Sequence, residues 1–339
     1  MATEPKTLQQ AIQYFTDTDN CLNYLSARRW PNGVACPTCG RTDVSFVPSR
    51  RLWQCKTRHP KAQFSIKTGT VLEDSPLGLE KWLPVMWMVA NCKNGVSSWE
   101  IHRSLGVSQK AAWFMLHRIR LGMKEDFGRG PLNKIGGENH EVEVDETFVG
   151  GQKKNMHLDK KVRYEAKGGA SGKAVVQGIL DRDMRKVRAS VMPNVKRETL
   201  QAEILRQVKY GTKVYTDEAV AYEQGLQWRY VHEFVNKTES YVRGRVHVNG
   251  MENFWSLLKR GLKGTYVAVE PFHLSRYVDE QVFRYNNRAT KQHPRNDADR
   301  FKTAMSQVLG RRLTYSDLTG KSDSPHHAPT GAGETPIPF

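Results

Sequence analysis

The sequence predicts an α/β domain preceded by a small metal-stapled module and a pair of helices, and three observations carry that prediction. Between Glu141 and Asp217 the segments EVEVDETFV, KAVVQGILD, VRASVM and KVYTD follow strand patterning, with a helical stretch before the last. Upstream, CPTCG and CKTRH place three cysteines and a histidine at metal-ligand spacing in a segment too short to build its own core. Between these regions lies VSSWEIHRSLGVSQKAAWFMLHRIR, two helical patterns joined at a glycine.

In chain order, residues 1–32 are a helical lead-in, with Leu8, Ile12 and Phe15 at helical spacing, a polar interruption at 16–20 and a break at RRWP. Residues 33–72 form the turn-rich module, with strand-like pieces at 44–46, 52–54 and 64–66. Residues 77–125 hold helices at 79–92 and 98–123. Ser97 and Glu100 make a capping-box start, Gly106 marks a turn and Ser108 caps the next helix. Residues 138–315 form the α/β domain, with a helix near 198–208, a strand at 228–231 and helices at 250–260 and 271–288. Residues 316–339 are Pro-rich and poor in apolar side chains, which predicts a disordered tail.

Composition narrows the partner. The 339 residues carry 52 Lys+Arg against 35 Asp+Glu, a net charge of +17, which predicts a polyanion. The longest apolar stretch, 82–90, contains Pro84 and falls short of the roughly 20 residues a membrane span needs, and the N-terminus lacks a signal-peptide core. Five cysteines suit a reducing cytoplasm rather than a disulfide scaffold.

Cys36 and Cys39, then after fifteen residues Cys55 and His59, form two half-sites for one tetrahedral zinc ion. The competing reading is a pair of unrelated thiols in a loop. Cys21 and Cys92 lack partners at ligand spacing and are expected to be buried small hydrophobes. The two helices of 98–123 have helix-turn-helix form. The second is expected to bury Ala112, Leu116 and Ile119 and to leave Gln109, Lys110 and His117 on the surface for DNA. An ordinary helical hairpin is the alternative.

Three carboxylates are the centre of the reading. Alternation in EVEVDETFV puts Val142, Val144 and Phe148 on one face and Glu141, Glu143 and Asp145 on the other. Asp217 ends KVYTD, and Glu252 lies near the start of a helix whose Ser256 and Lys259 share its face. Carboxylates from strand ends and a helix suit two Mg²⁺ or Mn²⁺ ions engaged in phosphoryl chemistry. Spacing alone leaves Glu143, Glu146 and Glu218 as alternatives, and each carboxylate taken alone also fits a turn, cap or solvated helix face. From Gln152 to Lys173 seven basic residues, among them Lys153 and Lys154, stand against Asp159 and Glu165. That loop and a second run containing Lys259 and Arg260 suit contact with a phosphate backbone.

CPTCG, FSIKTGTVLEDSPLGLEKW, VDETFVGG, VYTDEAVAY, HVNGMENFWSLLKRGLKGTY and VDEQVFRYNNR together resemble the ISXO-type insertion-sequence transposases of bacteria, over about residues 10–315. The resemblance implies a zinc ribbon before a DDE catalytic domain of the ribonuclease-H-like fold. It implies Asp145, Asp217 and Glu252 as metal ligands, Lys259 as the basic residue seven positions on, and Asn249 as the alternative third ligand. Relatives usually carry a second Cys-x2-Cys where this chain has Arg58 and His59. The implied activity is hydrolysis at transposon ends and strand transfer into target DNA by a homo-oligomer holding terminal inverted repeats. A non-catalytic DNA-binding regulator and a structure-selective nuclease on the same fold are the competing functions.

Overall fold

Alternating residues at 141–149 and 174–192 pair into a meander, and the chain then returns through a helix to lay a parallel strand beside the first. The computed structural model describes residues 4–125, 133–150, 173–217, 222, 225–235 and 244–320. It divides into two compact units, one of Met1–Asn91, Ser97–Met123 and Asn296–Phe339, the other of Cys92–Val96 and Lys124–Arg295.

In the first unit, α1 (Leu8–Thr16) and α2 (Thr18–Arg29) meet at Asp17, whose carboxylate caps α2 by accepting from Asp19 and Asn20 N–H. Strands β1 (Val44–Val47), β2 (Leu52–Cys55) and β3 (Gln63–Phe64) form an antiparallel sheet in sequence order. Trp53 of β2 packs against Trp30, Phe46 and Phe64, so this module has a small aromatic core of its own. Next come α3 (Leu79–Asn91), α4 (Ser98–Leu105) and α5 (Gln109–Met123). The expected capping box of Ser97 and Glu100 is present, and Gly106 ends α4 in the left-handed conformation.

The unit also takes in α9 (Asp297–Ser306), whose Phe301 is fully buried against Phe15, Tyr24 and Trp87. The sheet domain therefore ends near Arg295, not at 315, because Phe301 finds its apolar partners in helices from the other end of the chain. Where the tail was expected to begin, Thr314 caps a short helix, α10 (Tyr315–Thr319), and residues 321–339 lie outside the described residues.

The second unit is built on five strands, β4 (Glu141–Val149), β5 (Ala174–Asp181), β6 (Lys186–Met192), β7 (Lys213–Asp217) and β8 (Val231–Val235), in the order β6-β5-β4-β7-β8. The first three are antiparallel, while β4, β7 and β8 are parallel, a ribonuclease-H-like arrangement. The last strand starts at Val231, where the sequence expectation had it end: Arg229 and Tyr230 N–H bond back to Leu226, so residues 226–230 are a turn. Helix α6 (Arg197–Gln207) makes the crossover from β6 to β7, with Leu200 and Ile204 buried against Val142, Val144, Ile179 and Val214 on one sheet face. On the other face lie α7 (Asn249–Gly261) and α8 (Leu274–Asn286), whose Met251, Phe254, Trp255, Leu258 and Val278 pack with Val176 and Leu180. Covering both faces is what converts an alternating strand into a doubly buried one.

Candidate active site

Asp145 sits at the middle of β4, with strand continuing to Val149 beyond it. The alternation holds as expected, but the face carrying Glu141, Glu143 and Asp145 is buried, at 6%, 1% and 6% exposure, because α7 covers it. Each of these three carboxylates therefore needs a partner. Glu141 is paired with Arg245 and Arg182, which hold its carboxyl below the usual range. Glu143 accepts from Arg182 Nε at 2.7 Å and from Met251 N–H at 2.9 Å, so it anchors the first turn of α7. Asp145 Oδ2 accepts from the Trp255 indole N–H at 2.9 Å.

These two anchors set the helix on the strand. Two residues of strand rise about 7 Å, and four residues of helix rise about 6 Å, so the pairs Glu143–Met251 and Asp145–Trp255 keep α7 running alongside β4. Two glycines make the approach possible. A Cβ at Gly178, opposite Asp145 in the β4–β5 register, would lie 2.2 Å from Met251 Cε and 2.8 Å from Trp255, and one at Gly250 would lie 2.3 Å from Leu180 Cδ2 and 2.9 Å from Glu143 Oε2. Glu252 follows Met251 on the exposed flank of this buried stripe, one turn before Trp255, and Lys259, half-buried, lies two turns further along the same flank.

Strand β7 brings the second aspartate alongside. Glu141 pairs with Lys213, Val142 with Val214 and Glu143 with Tyr215, and Asp145 and Asp217 each lie two residues beyond the last of these pairs. Adjacent strands are about 4.8 Å apart. Tyr215 faces the α7 side, where Arg182 stacks on its ring, and period two puts Asp217 on that side as well.

The same geometry sorts the alternatives. Glu143 is committed to Arg182 and the helix, and Glu146 projects from the opposite face beside Gln177, whose Nε2 also donates to Leu200 O and Tyr222 Oη. Burial, then the charges of Asp145 and Asp217, push the Glu146 carboxyl up to about 8. Asn249 is exposed at the first residue of α7. Glu218, Lys153 and Lys154 lie outside the described residues. Sequence reasoning missed Trp255, which period 3.6 marks only as core; its hydrogen bond shows up once the helix is docked.

In the N-terminal module, the ligand atoms of Cys36, Cys39, Cys55 and His59 all lie within 4.8 Å of one another. Cys39 Sγ is 3.7 Å from Cys55 Sγ, and Cys36 Sγ is 3.5 Å from His59 Nε2. A tetrahedron with Zn–S near 2.3 Å and Zn–N near 2.05 Å has edges of about 3.8 and 3.6 Å, so the residues fit the ion. The Pro60 carbonyl, which can only accept, takes the His59 Nδ1 proton at 2.7 Å and leaves the Nε2 lone pair facing the thiols. Gly40, with φ near 73°, closes the turn after Cys39 by donating to Cys36 O. Cys21 is buried as expected, with its thiol pushed up to about 12 by burial, whereas Cys92 is only half-buried.

Helix α5 departs from the expectation at one position. His117 is fully buried beside Trp113, as are Met115 to Arg120 around it. It offers no surface to DNA. Lys110 is exposed, with its ammonium over the Tyr315 ring, and Gln109 donates to Ser98 Oγ. Arg260 is exposed at the end of α7. No helix among the described residues is long and apolar enough to cross a membrane.

Two family profiles match the chain, an ISXO2-like transposase domain over residues 135–286 and a transposase zinc-ribbon domain over residues 16–57. The first spans Asp145, Asp217 and Glu252; the second spans the three clustered cysteines and ends before His59. A Halobacterium salinarum protein described as an uncharacterized protein in transposable element ISH50 is 26% identical over 262 residues, covering 74% of this chain and 85% of that protein. An uncharacterized transposase-like protein of Haemophilus influenzae is 31% identical over 106 residues, covering 31% of this chain and 85% of that protein. A chain in the cryo-EM structure of a simian T-cell lymphotropic virus intasome with PP2A regulatory subunit B56 gamma aligns over 75% of this chain and 80% of its own, at 12% identity and a TM-score of 0.29.

Proposed function

The chain belongs to the ISXO2-like transposases that carry an N-terminal transposase zinc ribbon, and from that premise we propose that it cleaves DNA at the terminal inverted repeats of an insertion sequence and joins the freed ends to target DNA. The observation that carries the proposal is the parallel pairing of β4 with β7 up to Glu143 and Tyr215, with Asp145 and Asp217 each two residues further on, on the face packed by the helix that bears Glu252.

Asp145, Asp217 and Glu252 would hold two Mg²⁺ or Mn²⁺ ions, an all-oxygen donor set that suits hard cations. Bound there, the ions would activate the attacking hydroxyl and stabilise the leaving oxygen. The chain's own residues provide position and charge. Trp255 fixes one oxygen of Asp145 and so orients the carboxylate. Glu143 holds the first turn of α7 at the sheet. Lys259, roughly 10 Å along the helix from Glu252, is a flexible point charge suited to gripping a phosphate beside the reacting one. No side chain need form a covalent bond to DNA in such direct displacement, since water serves first as nucleophile and the freed 3′-OH second.

Cys36, Cys39, Cys55 and His59 would hold one structural zinc ion. Gln109, Lys110, Lys153, Lys154 and Arg260 are offered as DNA contacts, and action on chromosomal DNA implies the cytoplasm. Paired repeats would require more than one copy of the chain.

The test is an end-joining assay with labelled DNA from the borders of the element, purified protein and Mg²⁺. Cleaved ends joined to target DNA are expected. Cleavage without joining would favour the nuclease, and binding with neither would favour the regulator.

A further inference from the structure

A cavity of about 390 Å³ opens beside the first turn of α7, lined by Leu180, Tyr285 and a group of cations. Glu143 forms part of its wall, and Asp145 lies two residues, roughly 7 Å, further along the same face of β4.

The charges of this wall divide into a neutralised set and an unmatched pair. Arg182 donates from Nε to Glu143, from Nη1 to Glu141 and Arg245 O, and from Nη2 to His247 O and Nδ1. Arg245 makes a bidentate pair with Glu141, both bonds 2.8 Å. Those two arginines are therefore balanced by Glu141 and Glu143. Arg185 and Arg288 have no carboxylate partner among the described residues: Arg288 donates to the carbonyls of Tyr285 and Arg185 and lies 3.6 Å from the Tyr285 ring centroid. Burial, and after it the Arg185 charge, hold the Arg288 guanidinium below its ordinary value. His247 Nδ1 lies 2.8 Å from Arg182 Nη2 and 3.5 Å from Glu143 Oε1, so this ring is part of the same wall.

Two like charges held at one concave wall favour an anion, and planar guanidinium forks match the oxygens of a phosphate. We propose that the cavity lined by Arg182, Arg185, Arg245, His247 and Arg288 binds one non-reacting phosphodiester of the DNA strand engaged at Asp145. The inference rests on the transposase reading and adds to it a specific anchor for the strand. Binding energy taken from a phosphate beside the reacting one holds the strand in register with the carboxylates, where a misplacement of 1 Å is costly.

The experiment measures binding of a labelled 30-base-pair duplex by the full chain across a salt titration, without divalent metal. Arg185→Ala/Arg288→Ala is expected to bind about tenfold more weakly at 0.1 M salt, with a log–log salt slope about one unit shallower, the signature of one lost phosphate contact. Arg185→Lys/Arg288→Lys, which keeps the charges, should retain the wild-type slope and guards against misfolding as the cause. An unchanged slope in the Ala variant, with wild type binding normally, would overturn the pocket and leave the transposase reading standing. Wild type that binds no duplex would overturn that reading itself. Inorganic phosphate serves as the second probe: if it raises the melting temperature of wild type but not of the Ala variant while their DNA slopes agree, the pocket takes a small anion and the strand anchor is wrong.

Discussion

Trp255 shows how much a single side chain can do in two roles. Its ring fills the core between α7 and the sheet, and its N–H holds Asp145. Trp255→Phe keeps most of the apolar contact and removes the donor. A hydrogen bond to a charged group contributes about 1.5–3 kcal/mol, so the variant should need roughly ten- to a hundredfold more Mg²⁺ for half-maximal cleavage while binding DNA normally. An unchanged Mg²⁺ titration would reduce Trp255 to a packing residue. Lys259→Ala should slow joining of pre-cleaved ends by about tenfold and leave end binding nearly intact; wild-type joining in single-turnover kinetics would assign this helix flank to solvent alone. At this scale the alternation that puts Asp145 on the α7 face of β4 was legible, as was Asp217 at the end of β7, whereas β4 runs on four residues past Asp145. His117 was not legible, because period 3.6 identifies one buried stripe and cannot report that the rest of the helix surface is buried as well.

Elements meet here through the absence of side chains as much as through their presence. Gly178→Ala would push a methyl against Met251 and Trp255 and force α7 away from β4. The expected cost is about 1–3 kcal/mol, read as a shift in urea midpoint, with cleavage reduced at concentrations where the variant is still folded. A midpoint equal to wild type would contradict the close docking. In the ribbon, the knuckles at Cys36 and Cys55 were legible from spacing, and His59 was identified by its place after Cys55 despite the missing second Cys-x2-Cys. The aromatic core around Trp53 was not, since Trp30 reaches it from the end of α2. Elemental analysis should find one zinc per wild-type chain and markedly less in Cys36→Ser, with a lower melting temperature. Full zinc content in the variant would show that the cluster does not hold the ion.

Across the whole molecule, local patterning identified the sheet and most helices within a few residues, but not the return of α9 to the N-terminal unit. Phe301 carries no local mark of the Phe15, Tyr24 and Trp87 contacts that bury it, because its partners lie more than two hundred residues away. The same long reach would build the proposed metal site, whose three carboxylates come from positions 145, 217 and 252 on β4, β7 and α7. The most direct test of that claim replaces Mg²⁺ by Fe²⁺, which oxygen ligands also accept, and uses ascorbate and peroxide to cut the polypeptide beside the bound metal. Mapped by mass spectrometry, the cuts should cluster around Asp145, Asp217 and Glu252, be suppressed by excess Mg²⁺, and disappear in Asp145→Asn and Asp217→Asn. Cuts elsewhere, or cuts at those positions that persist in both variants, would contradict a metal site formed by these residues.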